Sequence, residues 1–236
     1  TPSGEEESAD FLRSLEIALE GVMVFSGRLA DRIREEIVRE TEPGQRSILG
    51  GLLARCTRVP LHPAQSFEEA VQSLWTVKTA VELAHPVNLH CFGRLDQSLY
   101  PYYRKDLEEG RITREQAREI LEELLLKIMS QNIRPESNLL GNFYHRYLGS
   151  SPVTVGGLRP DGRDGTNELT TLFIEAAHRS RSVTNLSVRV HEETPDETLL
   201  QVADALYEGT SSYSLFSDEI NIEAMKRRGE VVGRQA

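Results

Sequence analysis

The sequence predicts an α/β fold that is rich in helices and has mainly parallel strands. Segments with apolar residues at helical spacing alternate, after residue 86, with short runs that have the pattern of strands, and this order is typical of βα units. Several of the predicted strands carry polar residues on one face. This favours a barrel with a functional interior over a sheet covered on both sides.

Composition excludes several classes of protein. The net charge of −10 argues against a nucleic-acid surface, because phosphate binding depends on clustered Lys and Arg. The one basic cluster, Lys226–Arg228, is explained by its position near a predicted helix C-terminus. No run approaches the roughly 18 to 20 apolar residues of a membrane helix, and the acidic start at residues 1–7 is unlike a signal peptide. We therefore expect a cytoplasmic protein that binds neither nucleic acid nor membrane.

The first third of the chain is predicted to be helical. Residues 11–40 carry an apolar stripe that predicts one long helix or a broken pair. A second helix over residues 48–56 places Cys56 on a buried face. Residues 59–63 are predicted to be extended, and a capping box at Ser66–Glu69 starts a helix that ends near residue 85.

The next segment combines a strand, an unusual motif and a helix. Residues 87–92 alternate as a strand does and lead into Gly93–Tyr103, which places basic, acidic and amide side chains within five positions. Pro101 ends any strand there. A capping box at Thr113–Gln116 starts the clearest helix, over residues 117–129. The polar stretch 132–151, which contains Tyr147, is predicted to be a functional loop.

Three further strands are predicted, with helices after each. They cover residues 153–157, 185–191 and 214–216. Asp164 or Thr166 is expected to cap the helix after the first strand, and Thr194–Glu197 combines a capping box with proline for the helix after the second. Arg189 lies on the polar face of the second strand.

Motifs for metal sites and disulfides are not evident. Cys56 and Cys91 are too far apart for a Cys-x-x-Cys pair, and the six histidines lack His-Glu-x-x-His spacing. We expect no metal site.

The segment Gly93–Tyr103 resembles the central signature of the glycyl radical enzymes of the pyruvate formate-lyase-like family. The likeness extends upstream over residues 54–60 and 70–75. It continues downstream, in order, through Thr154–Gly157, Asp161–Gly162, Asp164–Leu169, Asn185–Arg189 and Leu215–Glu219.

This resemblance implies a ten-stranded α/β barrel with helices outside and a buried site inside. In the family, an activating enzyme that uses S-adenosylmethionine and an iron-sulfur cluster generates a radical on a backbone glycine. That radical oxidises a cysteine, whose thiyl radical attacks a small-molecule substrate. A carbon radical requires burial away from oxygen and water. Strands that lie in an open flat sheet, or a hydrophilic groove in place of an enclosed chamber, would refute this expectation. The resemblance further implies a homodimer.

Neither the loop with the radical glycine nor the loop with the reactive cysteine is expected within residues 1–236. Cys56 and Cys91 do not match the thiyl position, and the family's glycyl loop is not found. We therefore expect no catalytic residue and no directly bound cofactor in this chain, which resembles the middle third of an enzyme. It is predicted to be a single partial domain, with residues 1–86 a helical segment outside the barrel and 87–236 a β/α half-barrel segment.

The resemblance also implies roles for individual residues. Asn88, Cys91 and Tyr147 are predicted to line the substrate pocket, and Arg189 is predicted either to hold a substrate carboxylate or to pair with Asp96 or Asp218. The residues predicted to form a structural motif are Gly93, Arg94, Asp96, Gln97 and Asp218, with Arg94 paired to Asp96 as the simplest arrangement.

Two functions from different classes remain open. The first is the central part of a glycyl radical enzyme, of lyase, dehydratase or decarboxylase type, whose glycine and cysteine radicals lie outside this chain. The second is a non-catalytic scaffold or dimerisation partner of a full-length homologue. A conventional hydrolase is a distant third, because no nucleophile elbow is present.

Overall fold

A computed structural model describes residues 4–84, 91–130, 152–181, 185–210 and 213–229. The chain divides into two compact units, Thr1–Pro86 and Val87–Ala236. None of the described helices is long and apolar enough to cross a membrane.

The described part of the first unit, residues 4–84, forms three helices, α1 (Gly4–Arg39), α2 (Pro43–Arg58) and α3 (Phe67–Ala84). The first is continuous, which decides between one long helix and a broken pair. Its second half packs on α2, where Ala30 and Ile33 are buried and the Ser26 hydroxyl donates to the carbonyl of Cys56. Cys56 is buried, as the apolar stripe of α2 predicts.

The connections in the first unit differ from prediction at two places. The segment Glu42–Gly44 was predicted from its proline and glycine to end the first helix. Glu42 is instead the N-cap of α2, its carboxylate accepts from the N–H groups of Gly44 and Gln45, and Pro43 is the first residue of that helix. Residues 59–63 were predicted to be extended. They instead form a turn, because the N–H of His62 donates to the carbonyl of Arg58 in the last turn of α2.

The second unit begins with α4 (Leu95–Ser98), α5 (Tyr100–Glu108) and α6 (Arg114–Ser130). Most of the motif 93–103 is therefore helical, with Pro101 in the first turn of α5, where a missing N–H costs nothing. The predicted capping box of α6 is confirmed. The Thr113 hydroxyl accepts from the N–H of Gln116, and the Gln116 side chain accepts from the N–H of Thr113.

Three parallel strands follow, each leading into a helix. The strands are β1 (Val153–Gly156), β2 (Leu186–Val190) and β3 (Tyr213–Ser217), and the helices after them are α7 (Glu168–Arg179), α8 (Asp196–Tyr207) and α9 (Asp218–Arg227). The order is β1-β2-β3, and Val155 pairs with Val188, which pairs with Leu215. A single parallel bridge between Arg94 and Thr154 extends the sheet beyond β1.

The core of the second unit lies between the sheet and α7, and α6 packs on α7. Its fully buried side chains include Val153, Val155, Leu169, Leu172, Phe173, Leu186 and Val188. The alternation predicted for β2 is confirmed at Leu186 and Val188, which face this core.

The α/β class with parallel strands is shown, but the three described strands form an open sheet and no closed barrel. Three strands are too few to close a barrel, so the enclosed chamber stays a prediction that this sheet does not test. Residues 87–90 of the predicted first strand lie outside the described residues, and Cys91 and Phe92 are not in a strand. The prediction of a capping box at Thr194 is wrong. The hydroxyl of Thr194 accepts from the N–H of His191, and the N-cap of α8 is Pro195.

Candidate functional site

Polar side chains gather where the three parallel strands end. The carboxyl ends of parallel strands lie at one edge of the sheet, and α/β proteins bind their ligands at this edge. The strand-end cluster consists of Arg94, Asp96, the Gly156–Gly157 pair, Arg189 and Asp218. Its members come from four separate segments of the chain, so the fold, not local sequence, brings them together.

Arg94 binds the main chain that follows β1. Its guanidinium donates to the carbonyl oxygens of Gly156 at 2.5 Å, Gly157 at 3.1 Å and Leu158 at 2.6 Å. Burial lowers the pKa of Arg94, which the negative charge of Asp96 opposes. The simple Arg94–Asp96 pair predicted from the sequence is not formed, since the guanidinium instead satisfies three carbonyls at the end of a strand.

Asp96 binds the N–H of Gly156, the same glycine whose carbonyl accepts from Arg94. Its side chain is completely buried, and Oδ2 accepts from the N–H of Gly156 at 2.7 Å and from the hydroxyl of Thr170 at 2.6 Å. Burial raises the pKa of Asp96, while these two hydrogen bonds and the charge of Arg94 oppose the rise. One short motif therefore binds both the N–H and the C=O of Gly156.

The loop after β1 is closed by two amide side chains. Gln97 donates to the carbonyl of Gly165 at 2.6 Å, and Asn167 donates to the carbonyl of Asp96 at 3.1 Å. A Cβ at Gly165 would lie 2.5 Å from both the Arg94 Nη2 and the carbonyl oxygen of Gly157. Only glycine fits there, because that spacing is too short for any side chain.

Asp218 joins the ends of the three strands. It accepts from the Arg189 Nε at 2.7 Å, from the Arg189 Nη2 at 3.0 Å and from the N–H of Leu158 at 2.6 Å. Gly157 has a φ of +82°, and a Cβ on it would lie 2.6 Å from the Asp218 Oδ2. The arrangement therefore requires glycine at this position both for its backbone conformation and for space.

The structure brings six of the nine predicted site residues together. These six are Gly93, Arg94, Asp96, Gln97, Arg189 and Asp218, and the glycine contributes its carbonyl, which accepts from the N–H of Thr154. Of the two roles considered for Arg189, the structure displays the pair with Asp218. Cys91 is exposed, while Asn88 and Tyr147 lie outside the described residues.

Sequence reasoning missed two residues that complete the cluster. The N-cap of α7 is Asn167, whose side chain accepts from the N–H of Leu169, and not Asp164 or Thr166 as predicted. Thr170 completes this capping box and also donates to Asp96. The spacing Asn-x-x-Thr resembles a capping box and was the available signal.

Comparisons with known proteins show the family to which this chain belongs. A family model described as pyruvate formate lyase-like matches residues 1–235. The chain belongs to this family. It is 32% identical over 224 residues to isethionate sulfite-lyase of Nitratidesulfovibrio vulgaris, which covers 93% of this chain and 27% of that protein. It is 25% identical over 223 residues to trans-4-hydroxy-L-proline dehydratase of Clostridioides difficile, which covers 94% of this chain and 28% of that protein.

Solved structures of family members share the fold of this chain. A glycyl radical enzyme from Archaeoglobus fulgidus superposes with a TM-score of 0.78 at 31% identity over 98% of this chain and 32% of the other. The glycerol-bound form of the B12-independent glycerol dehydratase from Clostridium butyricum gives 0.80 at 27% identity, over 91% and 27%. The chain thus spans less than a third of the length of these relatives.

Proposed function

We propose that this chain is the central part of a glycyl radical enzyme that cleaves a bond in a small organic substrate, as a lyase, dehydratase or decarboxylase. The observation that carries the proposal is the match of residues 1–235 to the family, with the matching motifs gathered at the carboxyl ends of the strands. The relatives named above are a lyase and dehydratases, which supports this general chemistry.

The contribution of this chain is a rigid and closely packed wall. A glycyl radical supplies hydrogen-atom abstraction, and such chemistry needs a site from which water and stray hydrogen donors are excluded. The guanidinium and carboxylate groups of Arg94, Asp218 and Arg189 bind protein atoms. Because these polar groups are bound to each other and to the main chain, we assign them a structural role in the wall of the site and no role in the chemistry.

The remaining roles are also proposals. Asn88, Cys91 and Tyr147 line the substrate pocket, and Arg189 orders the wall through Asp218 instead of holding a substrate carboxylate. The radical glycine and cysteine lie outside residues 1–236. A radical activating enzyme with S-adenosylmethionine and an iron-sulfur cluster installs the radical, and the whole enzyme is a cytoplasmic homodimer with strands arranged in a barrel.

The test uses the full-length protein that contains this segment. After anaerobic incubation with the activating enzyme, S-adenosylmethionine and a reductant, we expect the electron paramagnetic resonance doublet of a glycyl radical. The resemblance to the family implies that the radical glycine lies in an Arg-Val-x-Gly-Tyr-like loop and the reactive cysteine in a Gly-Cys-x-Glu segment. Substituting that glycine by alanine is the control and removes the doublet. A complete reading frame that lacks both this loop and a Gly-Cys-x-Glu segment would rule the proposal out.

A scaffold or dimerisation role is the second candidate, because apolar side chains of α1 are exposed. Phe11 is 67% and Leu12 62% exposed in the first unit. A surface of this kind requires a covering partner. Multi-angle light scattering of the 236-residue chain tests this role, since a stable monomer at micromolar concentration would contradict it.

A further inference from the structure

A buried imidazole follows the end of β2 and is not used by the strand-end cluster. The side chain of His191 is 2% exposed, and its Nε2 lies 2.9 Å from the Oδ1 of Asp164. Its Nδ1 accepts from the N–H of Glu193 at 3.2 Å. Because a nitrogen that accepts carries no hydrogen, the neutral ring has its proton on Nε2 and donates it to Asp164.

The two partners of this ring belong to different loops. Asp164 lies in the loop after β1, where its Oδ1 also accepts from the N–H of Thr166 at 2.9 Å. Burial raises the pKa of Asp164, but the hydrogen bonds from Thr166 and His191 outweigh it and leave the pKa below its usual value. The imidazole therefore links the loop after β1 to the turn after β2.

The turn after β2 also contacts α9, the helix after β3. The N–H of Glu192 donates to the Glu219 Oε1 at 2.8 Å, and Glu219 is the second residue of α9. The turn is closed by Thr194, which accepts from the N–H of His191 and donates its own N–H to the carbonyl of His191. All three segments that follow the strands are thus connected through residues 191–194.

We infer that His191 is a positioning residue that holds the segments after β1 and β2 in one arrangement at the substrate side of the sheet, while the Glu192–Glu219 hydrogen bond connects the same turn to the segment after β3. The substrate side is a feature of the proposed function, on which this inference rests. Loops at the carboxyl ends of parallel strands carry the substrate contacts of α/β proteins and are otherwise variable in position. The buried ring of His191 donates to Asp164 in the loop after β1 and accepts from Glu193 in the turn after β2, so it fixes these two segments relative to each other.

Three substitutions separate a positioning role from simple packing. His191→Gln keeps a donor that reaches Asp164, whereas His191→Asn keeps a polar atom near Glu193 but is too short to reach Asp164. Asp164→Ala removes the acceptor from the other loop, at a side chain that is 26% exposed and therefore tolerant of change.

The measurement is hydrogen–deuterium exchange of the full 236-residue chain, read in the loop that does not carry the substitution. His191→Asn is expected to speed exchange of the Thr166 amide about tenfold, and Asp164→Ala to do the same at Glu192 and Glu193, since a lost hydrogen bond worth about 1.4 kcal/mol corresponds to a tenfold change. His191→Gln restores protection to within about threefold of the wild type. If each variant affects only its own loop, the inference is overturned.

Nitrogen NMR of the imidazole supplies a second test that needs no destabilising variant. The wild-type signals of His191, assigned by their loss in His191→Gln, are expected to show a protonated Nε2 and an unprotonated Nδ1. The opposite tautomer would overturn the inference. Neither measurement requires turnover, so a wild-type enzyme that forms no glycyl radical would defeat the proposed function and leave the coupling result standing.

Discussion

Arg189 and Asp218 form a two-point ion pair across the ends of β2 and β3, with Nε–Oδ1 and Nη2–Oδ2 distances of 2.7 and 3.0 Å. The Asp218 side chain is 3% exposed and that of Arg189 is 15% exposed. The parallel, two-point geometry suits the fork of a guanidinium. Asp218 also accepts from the N–H of Leu158, so this pair fixes the separation of three strand ends.

Arg189→Met should lower the free energy of unfolding by about 3 kcal/mol, because it leaves the buried Asp218 carboxylate without its cation. Urea unfolding followed by far-UV circular dichroism measures this change. Tryptophan fluorescence is unsuitable, because the single tryptophan, Trp75, lies in the first unit.

Arg163→Met is the matched control for this substitution. Arg163 is 82% exposed and stands 3.6 Å from Asp161, so its replacement should change stability by less than about 0.5 kcal/mol. Equal effects at the two arginines would contradict a stabilising role for the Arg189–Asp218 pair.

Gly157→Ala and Gly162→Ala should differ strongly although the two glycines have nearly the same backbone conformation. Their φ angles are +82° and +81°, but a Cβ at Gly157 would meet Asp218 and Arg189 within 3 Å, while a Cβ at Gly162 would meet nothing within 4 Å. Gly162→Ala is expected to cost about 1 kcal/mol of backbone strain. Gly157→Ala adds a steric clash, so we expect a loss larger by about 2 kcal/mol, and thermal denaturation would show a lower Tm for Gly157→Ala.

The two cysteines should react at very different rates with a thiol reagent. Burial raises the pKa of the Cys56 thiol, and Cys56 is only 2% exposed. A cysteine reacts as its thiolate, and the reagent must be able to reach the sulfur. Cys91 is exposed. The native chain is expected to show one fast-reacting thiol with Ellman's reagent, and a second only after unfolding. The fast phase should survive Cys56→Ala and vanish in Cys91→Ser, and its loss in Cys56→Ala would reverse our assignment.

Local sequence patterns predicted most elements of this fold. The apolar stripe over 117–129 lies within α6, and the alternation over 185–191 contains β2. In both cases the side-chain period follows directly from the backbone geometry. Helix α5 was missed because a proline after a strand pattern was interpreted as a stop, although proline also suits the first turn of a helix.

The contacts of the cluster could not be predicted in the same way. Arg94 was paired with its neighbour Asp96, whereas its true acceptors are carbonyls 62 to 64 residues away. A guanidinium can satisfy several partners, and the choice among them depends on which strand end the fold places beside it. The family resemblance identified which residues matter, while the structure was needed to show what each of them binds.

Asp96→Asn should remove a dependence of stability on pH. Because burial raises the pKa of Asp96 in the folded chain, the native state retains this proton at pH values where the unfolded chain, with a pKa of about 3.9, has lost it. Stability from this group is therefore fully present below about pH 4 and is lost as pH rises through the folded pKa. Asparagine keeps an oxygen to accept from Gly156 and Thr170 but does not ionise.

The stability of Asp96→Asn relative to the wild type is thus expected to increase as pH rises above about 4, by at most about 1.4 kcal/mol per unit. Urea unfolding from about pH 2.5 to 8 measures the difference and includes the acidic range in which the control responds. Asp164→Asn is the control of opposite sign: the pKa of Asp164 is lowered, so its contribution is present above about pH 3.9 and is lost as pH falls. If Asp96→Asn and the wild type stay parallel throughout this range, Asp96 does not bind its proton more tightly in the folded chain, and the buried carboxylate is stabilised in its charged form by Gly156, Thr170 and Arg94.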